Sequence, residues 1–377
     1  MNLDFSEEQR ILRKSAKDFF TRESPELLIR GMREHETGHD LELWKKMADL
    51  GWLGVIVPEE YGGTGGTFMD LAILLEAMGE ACLSGPFFST VVLGANAILL
   101  AGTEDQKKIL LPQISEGREV LTLALSDPGN WYETKNIKTL AKQDGSEYVI
   151  EGVKHFVENA QVAGRIICAA QVEDNNGRRP GLSLFLVDAG SPGVEIKPFQ
   201  TLAYERYCQV GFQAVRIKEN GVLGTAGKAG PALETLLERA AVAKCAEMLG
   251  AAQVSLDLAV AYAKERVQFG RPIGSFQAVQ HHLANMTVDV DSMRYLIYQA
   301  AWRISEGLPA GTEAAMAKAF TSEAATRVTR FSHQVHGAIA FCDEHNLHFY
   351  YRKVKAAGLT FGDSETHLEK VARSLGL

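Results

Sequence analysis

The sequence lacks a transmembrane segment, a secretory signal peptide and a CxxC pair of cysteines. None of its hydrophobic runs approaches the roughly 18 residues that a transmembrane helix needs. The N-terminus, MNLDFSEE, is polar and acidic, unlike a secretory signal peptide. The five cysteines are scattered without a CxxC pair, which disfavours both a disulfide framework and a zinc site. These absences predict a cytoplasmic protein with reduced thiols, no membrane insertion and no bound metal.

An excess of positive charge is also lacking. The chain has 39 Lys and Arg against 47 Asp and Glu, for a formal net charge of −8. Bulk charge therefore favours neither nucleic acid nor an anionic membrane as a partner. An anionic small molecule would need a local group of cations or helix N-termini. The hydrophobic content of 46% indicates a globular protein, and 377 residues allow two or three domains.

The hydrophobic periodicity changes twice along the chain. Residues 1–120 have helical spacing that begins after Ser6, with a glycine-rich loop at 62–66 that lacks the GK[ST] ending of a phosphate-binding loop. Residues 121–228 contain short β-branched and aromatic runs, at 148–150, 165–168 and 182–187, between turn signals, which indicate a small barrel or sandwich. Residues 229–377 return to helical spacing. The long helix expected at 232–266 has an apolar stripe that includes Leu249, Ala252 and Ala259, and it predicts a four-helix bundle. The sequence thus predicts an α+β protein with three consecutive domains.

Several motifs follow one another along the chain. They are LGWLGVIVPEEYGG at 50–63, YAKERVQFGRPI with Phe276-Gln277 at 262–277, QVHG at 334–337 and RKVK at 352–355. In this order, and with the helix–sheet–helix arrangement, they resemble the acyl-CoA dehydrogenase family over nearly the whole chain. One such motif would be a weak signal, whereas the ordered set is specific.

The resemblance implies FAD as the cofactor and an acyl-CoA as the substrate, in fatty acid or steroid side-chain degradation. In that family a glutamate removes the α-proton of the thioester while the β-hydride passes to the flavin. Electron-transferring flavoprotein is the electron acceptor that the resemblance implies. The flavin is shared between subunits, which implies a homo-oligomer or a heteromer with a second acyl-CoA dehydrogenase subunit.

The resemblance also assigns two sets of flavin contacts. The β-domain positions that hold the isoalloxazine ring are matched by Leu125, Ser126 and Phe156. The positions that a neighbouring subunit donates to the pyrophosphate and adenosine are matched by Arg266, Phe269, Gln277, Gln334 and Gly337.

Arg266 carries the strongest chemical argument of the donated set, because a fixed cation suits a pyrophosphate. The alternative is an ordinary surface arginine that pairs with a nearby acid, Glu265 or Asp289. The intact Arg-x-x-Phe-Gly motif favours the flavin contact.

The β-domain positions depart from the family pattern. Where the family usually has Thr-Glu-Pro-Gly-Ala-Gly-Ser, this chain has Ser-Asp-Pro-Gly-Asn-Trp-Tyr at 126–132. The usual Trp-Ile-Thr beside the flavin is Phe-Val-Glu at 156–158. Trp131 and Tyr132 replace small residues, or simply fill a cavity. Glu158 would bring negative charge near flavin N5, or is an exposed strand acid.

The catalytic glutamate is missing from both positions where the family carries it. Those positions are Phe361 and Ala240, and neither side chain can accept a proton. Glu238 lies two residues from Ala240, about 200° around a helix, so only a helix irregularity would bring it into register. Asp363 is the other candidate base, and its alternative role is a helix cap or turn residue.

Four functions remain open from the sequence. The first is a dehydrogenase with a relocated base, Asp363 before Glu238. The second is a subunit of a heteromeric dehydrogenase, in which a partner carries the base and this chain donates Arg266, Gln277 and Gln334. The third is a flavin monooxygenase or nitroalkane-oxidase-like enzyme on the same fold. The fourth is a catalytically silent partner subunit, and fold alone does not distinguish these functions.

Overall fold

The computed structural model describes residues 4–23, 30–31, 35, 37–130, 132 and 134–377. The chain divides into two compact units built from non-consecutive segments. We call the first, Met1–Gly31 with Phe68–Leu83 and Ala241–Leu377, the helical unit. We call the second, Met32–Thr67 with Ser84–Ala240, the sheet unit. No helix among the described residues is long and apolar enough to cross a membrane.

The helical unit is built from long helices and one short hairpin. Its helices are α1 (Glu7–Arg22), α3 (Phe68–Glu80), most of α6 (Gly230–Glu265), α7 (Gln277–Ser305), α8 (Gly311–His336), α9 (Leu347–Leu359) and α10 (Ser364–Ser374). Strands β8 (Val267–Gln268) and β9 (Arg271–Pro272) form the hairpin between α6 and α7. Helix α1 begins after Ser6, as the sequence predicts. Ser6 caps it in a capping box with Gln9. The apolar stripe predicted along α6 is buried, including Leu249, Ala252 and Ala259.

Helix α3 is central to the helical unit. A Cβ at Gly79 would lie 2.0 Å from Glu247 O, and one at Gly250 would lie 2.0 Å from Glu76 O. The backbones of α3 and α6 therefore approach as closely as only glycine permits. The buried Glu76 carboxylate also lies 3.4 Å from Arg13 Nη2 and 3.3 Å from Arg294 Nη1. These contacts join α1, α3, α6 and α7.

The sheet unit surrounds one curled seven-stranded sheet. Its strands are β1 (Leu121–Ala124), β2 (Leu140–Asp144), β3 (Glu147–Glu158), β4 (Arg165–Glu173), β5 (Gly181–Asp188), β6 (Val194–Phe199) and β7 (Tyr207–Lys218). Strand β4 pairs in parallel with β1 and with β2, at different points along its length, and antiparallel with β5. Strands β2, β3, β7 and β6 continue the sheet in antiparallel order. The predicted β runs at 148–150, 165–168 and 182–187 all lie in these strands.

Short helices complete the sheet unit. They are α2 (Leu41–Asp49), a fully buried π-helical stretch (Phe88–Ala95), α4 (Asn96–Ala101), α5 (Glu104–Ser115) and the first turns of α6. The glycine-rich segment forms a loop, and a Cβ at Gly63 would lie 2.0 Å from Val57 O. The α+β class is confirmed. The helices expected to form one domain over 1–120 are divided between the two units, because α1 and α3 pack with the C-terminal helices.

Candidate flavin-binding surface and catalytic positions

A buried ion pair fixes the loop that follows β1. Lys154 on β3 is fully buried, and its Nζ lies 2.8 Å from Asp127 Oδ1 and donates a 2.8 Å hydrogen bond to Leu125 O. Asp127 also accepts a 2.6 Å hydrogen bond from Thr139 Oγ1. Burial alone would raise the pKa of Asp127, but the Lys154 ammonium and the hydrogen bonds outweigh it and lower that pKa. The backbone of Leu125 is thereby held in place.

The next residue, Ser126, is buried and makes two backbone contacts. Its carbonyl accepts a 2.7 Å hydrogen bond from His155 N, and its hydroxyl accepts a 3.2 Å hydrogen bond from Tyr132 N. Tyr132 has a positive φ of 58°, a conformation uncommon for a bulky residue. Trp131 lies outside the described residues. The loop thus fixes Leu125 and Ser126, two of the three residues that the resemblance assigns to the isoalloxazine ring.

Phe156 lies in a strained part of β3. The pairing of β3 with β7 shifts register between Lys154 and Val157, and Phe156 has a φ of +55°. Its ring packs edge-on against Phe199, with centroids 5.6 Å apart. Such strain is typical of functional positions, because surrounding contacts must maintain it. Glu158 is buried, with its backbone carbonyl accepting a 2.5 Å hydrogen bond from Thr122 Oγ1, so the alternative of an exposed strand acid is wrong.

The first turns of α6 hold the candidate base Glu238. Helix α6 is a regular α-helix from Gly230 to Glu265, so it has no irregularity that would shift Glu238 into the register of Ala240. Ala240 is fully buried, whereas Glu238 is only half-buried. Between them, Arg239 donates a 3.0 Å hydrogen bond to Asn96 Oδ1 of the sheet unit. The Glu238 carboxylate therefore lies about 200° around the helix from the buried Ala240 position.

The other candidate base, Asp363, caps a helix. It is the N-cap of α10, and Thr366 N donates a 2.9 Å hydrogen bond to Asp363 Oδ1. The hydrogen bonds from Thr366 are the main reason that the pKa of Asp363 is lowered. A carboxylate with a lowered pKa is a weaker base, and this geometry is the helix-capping alternative of the sequence analysis.

Phe361 lies in a short segment held from two neighbouring helices. It is 5% exposed and has a φ of +61°. From α10, His367 lies with Nε2 2.9 Å from Phe361 O. From α8, the fully buried Lys318 donates hydrogen bonds to Gly358 O (2.9 Å) and Ala357 O (3.2 Å) at the end of α9. Burial lowers the pKa of Lys318 to about 8 and that of His367 to about 4.

The set expected to be donated lies on exposed parts of the helical unit. The side chains of Arg266, Gln277 and Gln334 are exposed, and none has a hydrogen-bond or ion-pair partner within the described part of the chain. Asp289 pairs instead with Arg327, at 2.7 Å, so the alternative that joined Arg266 to Asp289 is wrong. Gly337 follows the end of α8 with a φ of +70°, and a Cβ added there would have no atom within 4 Å.

The hairpin beside Arg266 carries an aromatic residue into solvent. Phe269 is 91% exposed and has a φ of +53°. Its ring touches Phe276 edge-on, at 6.0 Å between centroids, and the Arg271 guanidinium lies 4.2 Å from the Phe276 ring. An aromatic side chain this exposed on a folded hairpin is typical of a surface that another molecule covers.

These exposed groups fit the diphosphate and adenosine half of FAD. A guanidinium supplies the fixed cation that a pyrophosphate prefers, and two amides supply both donors and acceptors. The glycine permits close approach of a ligand to the backbone. Three polar side chains lie without partners in the part of the chain that the structure describes, and this observation supports the fit.

The fold and these surfaces fit a flavin-dependent dehydrogenase, and comparison with known proteins shows the family. Three family profiles cover the chain: "Acyl-CoA dehydrogenase, N-terminal domain" at 6–118, "middle domain" at 122–215 and "C-terminal domain" at 231–376. The chain belongs to the acyl-CoA dehydrogenase family. It is accordingly an FAD-dependent oxidoreductase that acts on CH–CH bonds.

Individual relatives match over the full length. The chain is 33% identical to the "Probable acyl-CoA dehydrogenase YngJ" of Bacillus subtilis, with all of both chains covered. It is 29% identical to the "Caffeyl-CoA reductase-Etf complex subunit CarC" of Acetobacterium woodii, with 96% of each covered.

Solved structures of related proteins have the same fold. The butyryl-CoA dehydrogenase of Megasphaera elsdenii has a TM-score of 0.93 at 28% identity, with all of both chains covered. A chain of the ChsE4-ChsE5 complex of Mycobacterium tuberculosis has a TM-score of 0.89 at 27% identity, covering 100% of this chain and 99% of that one.

Two buried lysines were not predicted from the sequence. Lys154 holds the loop after β1, and Lys318 holds the end of α9. Lys154 follows Tyr148 and Ile150 at the two-residue spacing of the buried face of β3. Lys318 lies one turn after Ala314 on the buried face of α8. In both cases, a lysine on an otherwise apolar face was a usable signal, since lysine is seldom buried without partners.

Proposed function

We propose that the chain is a donor subunit of a heteromeric acyl-CoA dehydrogenase that introduces an α,β double bond into an acyl-CoA thioester. One contrast carries the proposal. The donated surface, Arg266, Gln277 and Gln334, is complete and exposed, while the family's two base positions are apolar, at Phe361 and Ala240. The partner chain then supplies the glutamate and the isoalloxazine pocket.

In this proposal the role of the chain's own residues is to bind and orient FAD. Arg266 neutralises the pyrophosphate of FAD in the partner's site, and Gln277 and Gln334 bind the adenosine half. Phe269, carried by the hairpin, covers the cofactor from this side. Bound FAD supplies the hydride-accepting chemistry. The α-proton passes to a carboxylate of the partner, because the family positions in this chain hold no proton acceptor.

A homo-oligomer that works alone is the second candidate. The ordered Leu125–Ser126 loop favours it, because the Lys154–Asp127 pair keeps an isoalloxazine-binding backbone in place. It would require Asp363 or Glu238 as base. Asp363 caps α10, and Glu238 lies away from the Ala240 position, so the base is the weak point of this candidate.

The relatives support the partners and the substrate class that we propose. The name of the Acetobacterium woodii relative places it in a complex with an Etf, which supports electron-transferring flavoprotein as acceptor. The ChsE4-ChsE5 structure is a complex of two named chains, which supports a heteromer. A fatty or steroid side-chain acyl-CoA is the substrate class that we propose.

The test is expression of the chain alone and together with acyl-CoA dehydrogenase-like chains chosen as candidate partners. The flavin absorbance of each purified product gives the FAD content, and an acyl-CoA should bleach it only in the joint product. The proposal expects little FAD in the lone chain. Full FAD occupancy and turnover by the lone chain would establish the homo-oligomer instead.

A further inference from the structure

Two aromatic stacks with the same geometry occur in the helical unit. Tyr262 of α6 stacks on His336 of α8, with ring centroids 4.6 Å apart and an interplanar angle of 25°. His282 of α7 stacks on Phe331 of α8 at the same centroid distance and the same angle. Each stack joins a different helix to the C-terminal half of α8.

Both stacks lie beside the exposed flavin-binding side chains. Tyr262 is four residues before Arg266, and His336 is two residues after Gln334. Phe331 is three residues before Gln334, and His282 is five residues after Gln277. Tyr262 and Arg266 are four residues apart, and Phe331 and Gln334 are three apart, so each of these two pairs lies on neighbouring turns of one face. His336 and His282 lie within two turns of Gln334 and Gln277. The stacks therefore connect the three stretches that carry Arg266, Gln277 and Gln334.

The His336 ring has a fixed orientation. Its Nδ1 lies 2.8 Å from Ser332 O, and since a carbonyl can only accept, Nδ1 carries the proton. Ser332 Oγ in turn donates a 2.7 Å hydrogen bond to Ser255 O of α6. Burial is the main cause that lowers the pKa of His336, so the ring is neutral near pH 7. A ring held in this way provides a defined face for Tyr262.

We infer that these two stacks position the donated surface, so that Tyr262, His336, His282 and Phe331 are positioning residues for cofactor binding. The inference rests on the proposed donation of Arg266, Gln277 and Gln334. Because these polar side chains have no partners among the described residues, the placement of the segments that carry them sets the spacing that a pyrophosphate and adenosine encounter. Preorganised contacts of this kind raise affinity by removing the ordering that binding would otherwise require.

The test uses the joint complex with substitutions in this chain. Tyr262→Leu and Phe331→Leu remove one stack each, whereas Tyr262→Phe and Phe331→Tyr keep the rings. FAD affinity for the deflavinated complex is measured by fluorescence, with ADP as a competitor that probes only the diphosphate and adenosine half. Each leucine variant should weaken FAD and ADP about 3- to 10-fold, the effect expected from loss of one aromatic pair. The aromatic variants should bind as the wild type does.

A matched control separates positioning from general stability. Phe5→Leu removes the Phe5–Tyr298 edge-to-face pair, at 5.0 Å, in the same unit. Tyr298 lies about 30 Å along α7 from Gln277 at 1.5 Å per residue. This variant should lower stability without weakening ADP. Equal weakening of ADP by Phe5→Leu, or unchanged affinity in both leucine variants, would overturn the inference. If the wild-type complex itself binds no FAD, the proposed function fails instead.

Discussion

Replacing Lys154 by methionine should strongly destabilise the sheet unit. Lys154 is fully buried, and the substitution removes the donor to both Asp127 and Leu125 O while keeping most of the side-chain volume. Breaking a buried ion pair from one side costs about 3–5 kcal/mol, because the remaining charge is uncompensated. Asp127 keeps its hydrogen bonds from Thr139, so we expect the lower end, about 3 kcal/mol.

The loss should depend on pH in a defined direction. The folded-state pKa of Asp127 lies below its ordinary value of about 4, so its ionised form stabilises the fold above that pH. This stability is lost as the pH falls through the folded pKa. Without Lys154 the lowering is removed, and the deficit of the variant should therefore shrink at a pH below about 4.

Urea unfolding of the wild type, Lys154→Met and Lys142→Met at pH 7 measures the effect. Lys142 is exposed on β2, and its replacement should change stability by about 0.5 kcal/mol at most. Adding Asp127→Asn to Lys154→Met should recover part of the loss, because it removes the unpaired charge. A loss below about 1 kcal/mol for Lys154→Met, or no recovery in the double variant, would refute the ion-pair argument.

Three further substitutions test other parts of the structure. Gly250→Ala should lower stability by more than about 2 kcal/mol in urea unfolding, because its Cβ would lie 2.0 Å from Glu76 O, whereas Gly230→Ala, with open space around it, should be near neutral. Asp363→Ala should lower stability by about 1 kcal/mol, Asp363→Ser should restore it, and both should leave the turnover of the complex unchanged; a loss of turnover in Asp363→Ser would identify a base. Because the folded pKa of Lys318, about 8, lies below the ordinary value near 10.4, wild-type stability should rise from pH 8 to about 10.4, and Lys318→Met should abolish that rise in thermal unfolding.

Local sequence patterns predicted most of the fold. The Ser6 cap, the β runs and the apolar stripe of α6 each follow from short-range spacing, and each lies where it was expected. The division into compact units did not follow from spacing. In the helical unit, Gly79 of α3 and Gly250 of α6 each lie against the backbone of the opposing helix. These two glycines are 171 residues apart in the chain (250 − 79), so no local pattern joins them.

The candidate site was predictable in part. The motif around Arg266 identified side chains that are exposed and that have no partner among the residues the structure describes. The roles of Asp363 and Glu238 could not be read from the sequence, because a helix cap and a catalytic base use the same residue type. Only the hydrogen bond from Thr366 N and the regularity of α6 distinguish these roles.

The most direct test of the account is the FAD content of the joint complex when Arg266 of this chain is replaced by glutamine. The substitution keeps a polar side chain at an exposed position and removes only the cation. Arg373, an exposed arginine that pairs with Glu369 of its own helix α10 at 3.0 Å, provides the control through Arg373→Gln. We expect Arg266→Gln to lower FAD retention about tenfold or more, while Arg373→Gln leaves it unchanged. Full FAD retention by Arg266→Gln would contradict the claim that this chain donates the pyrophosphate contact.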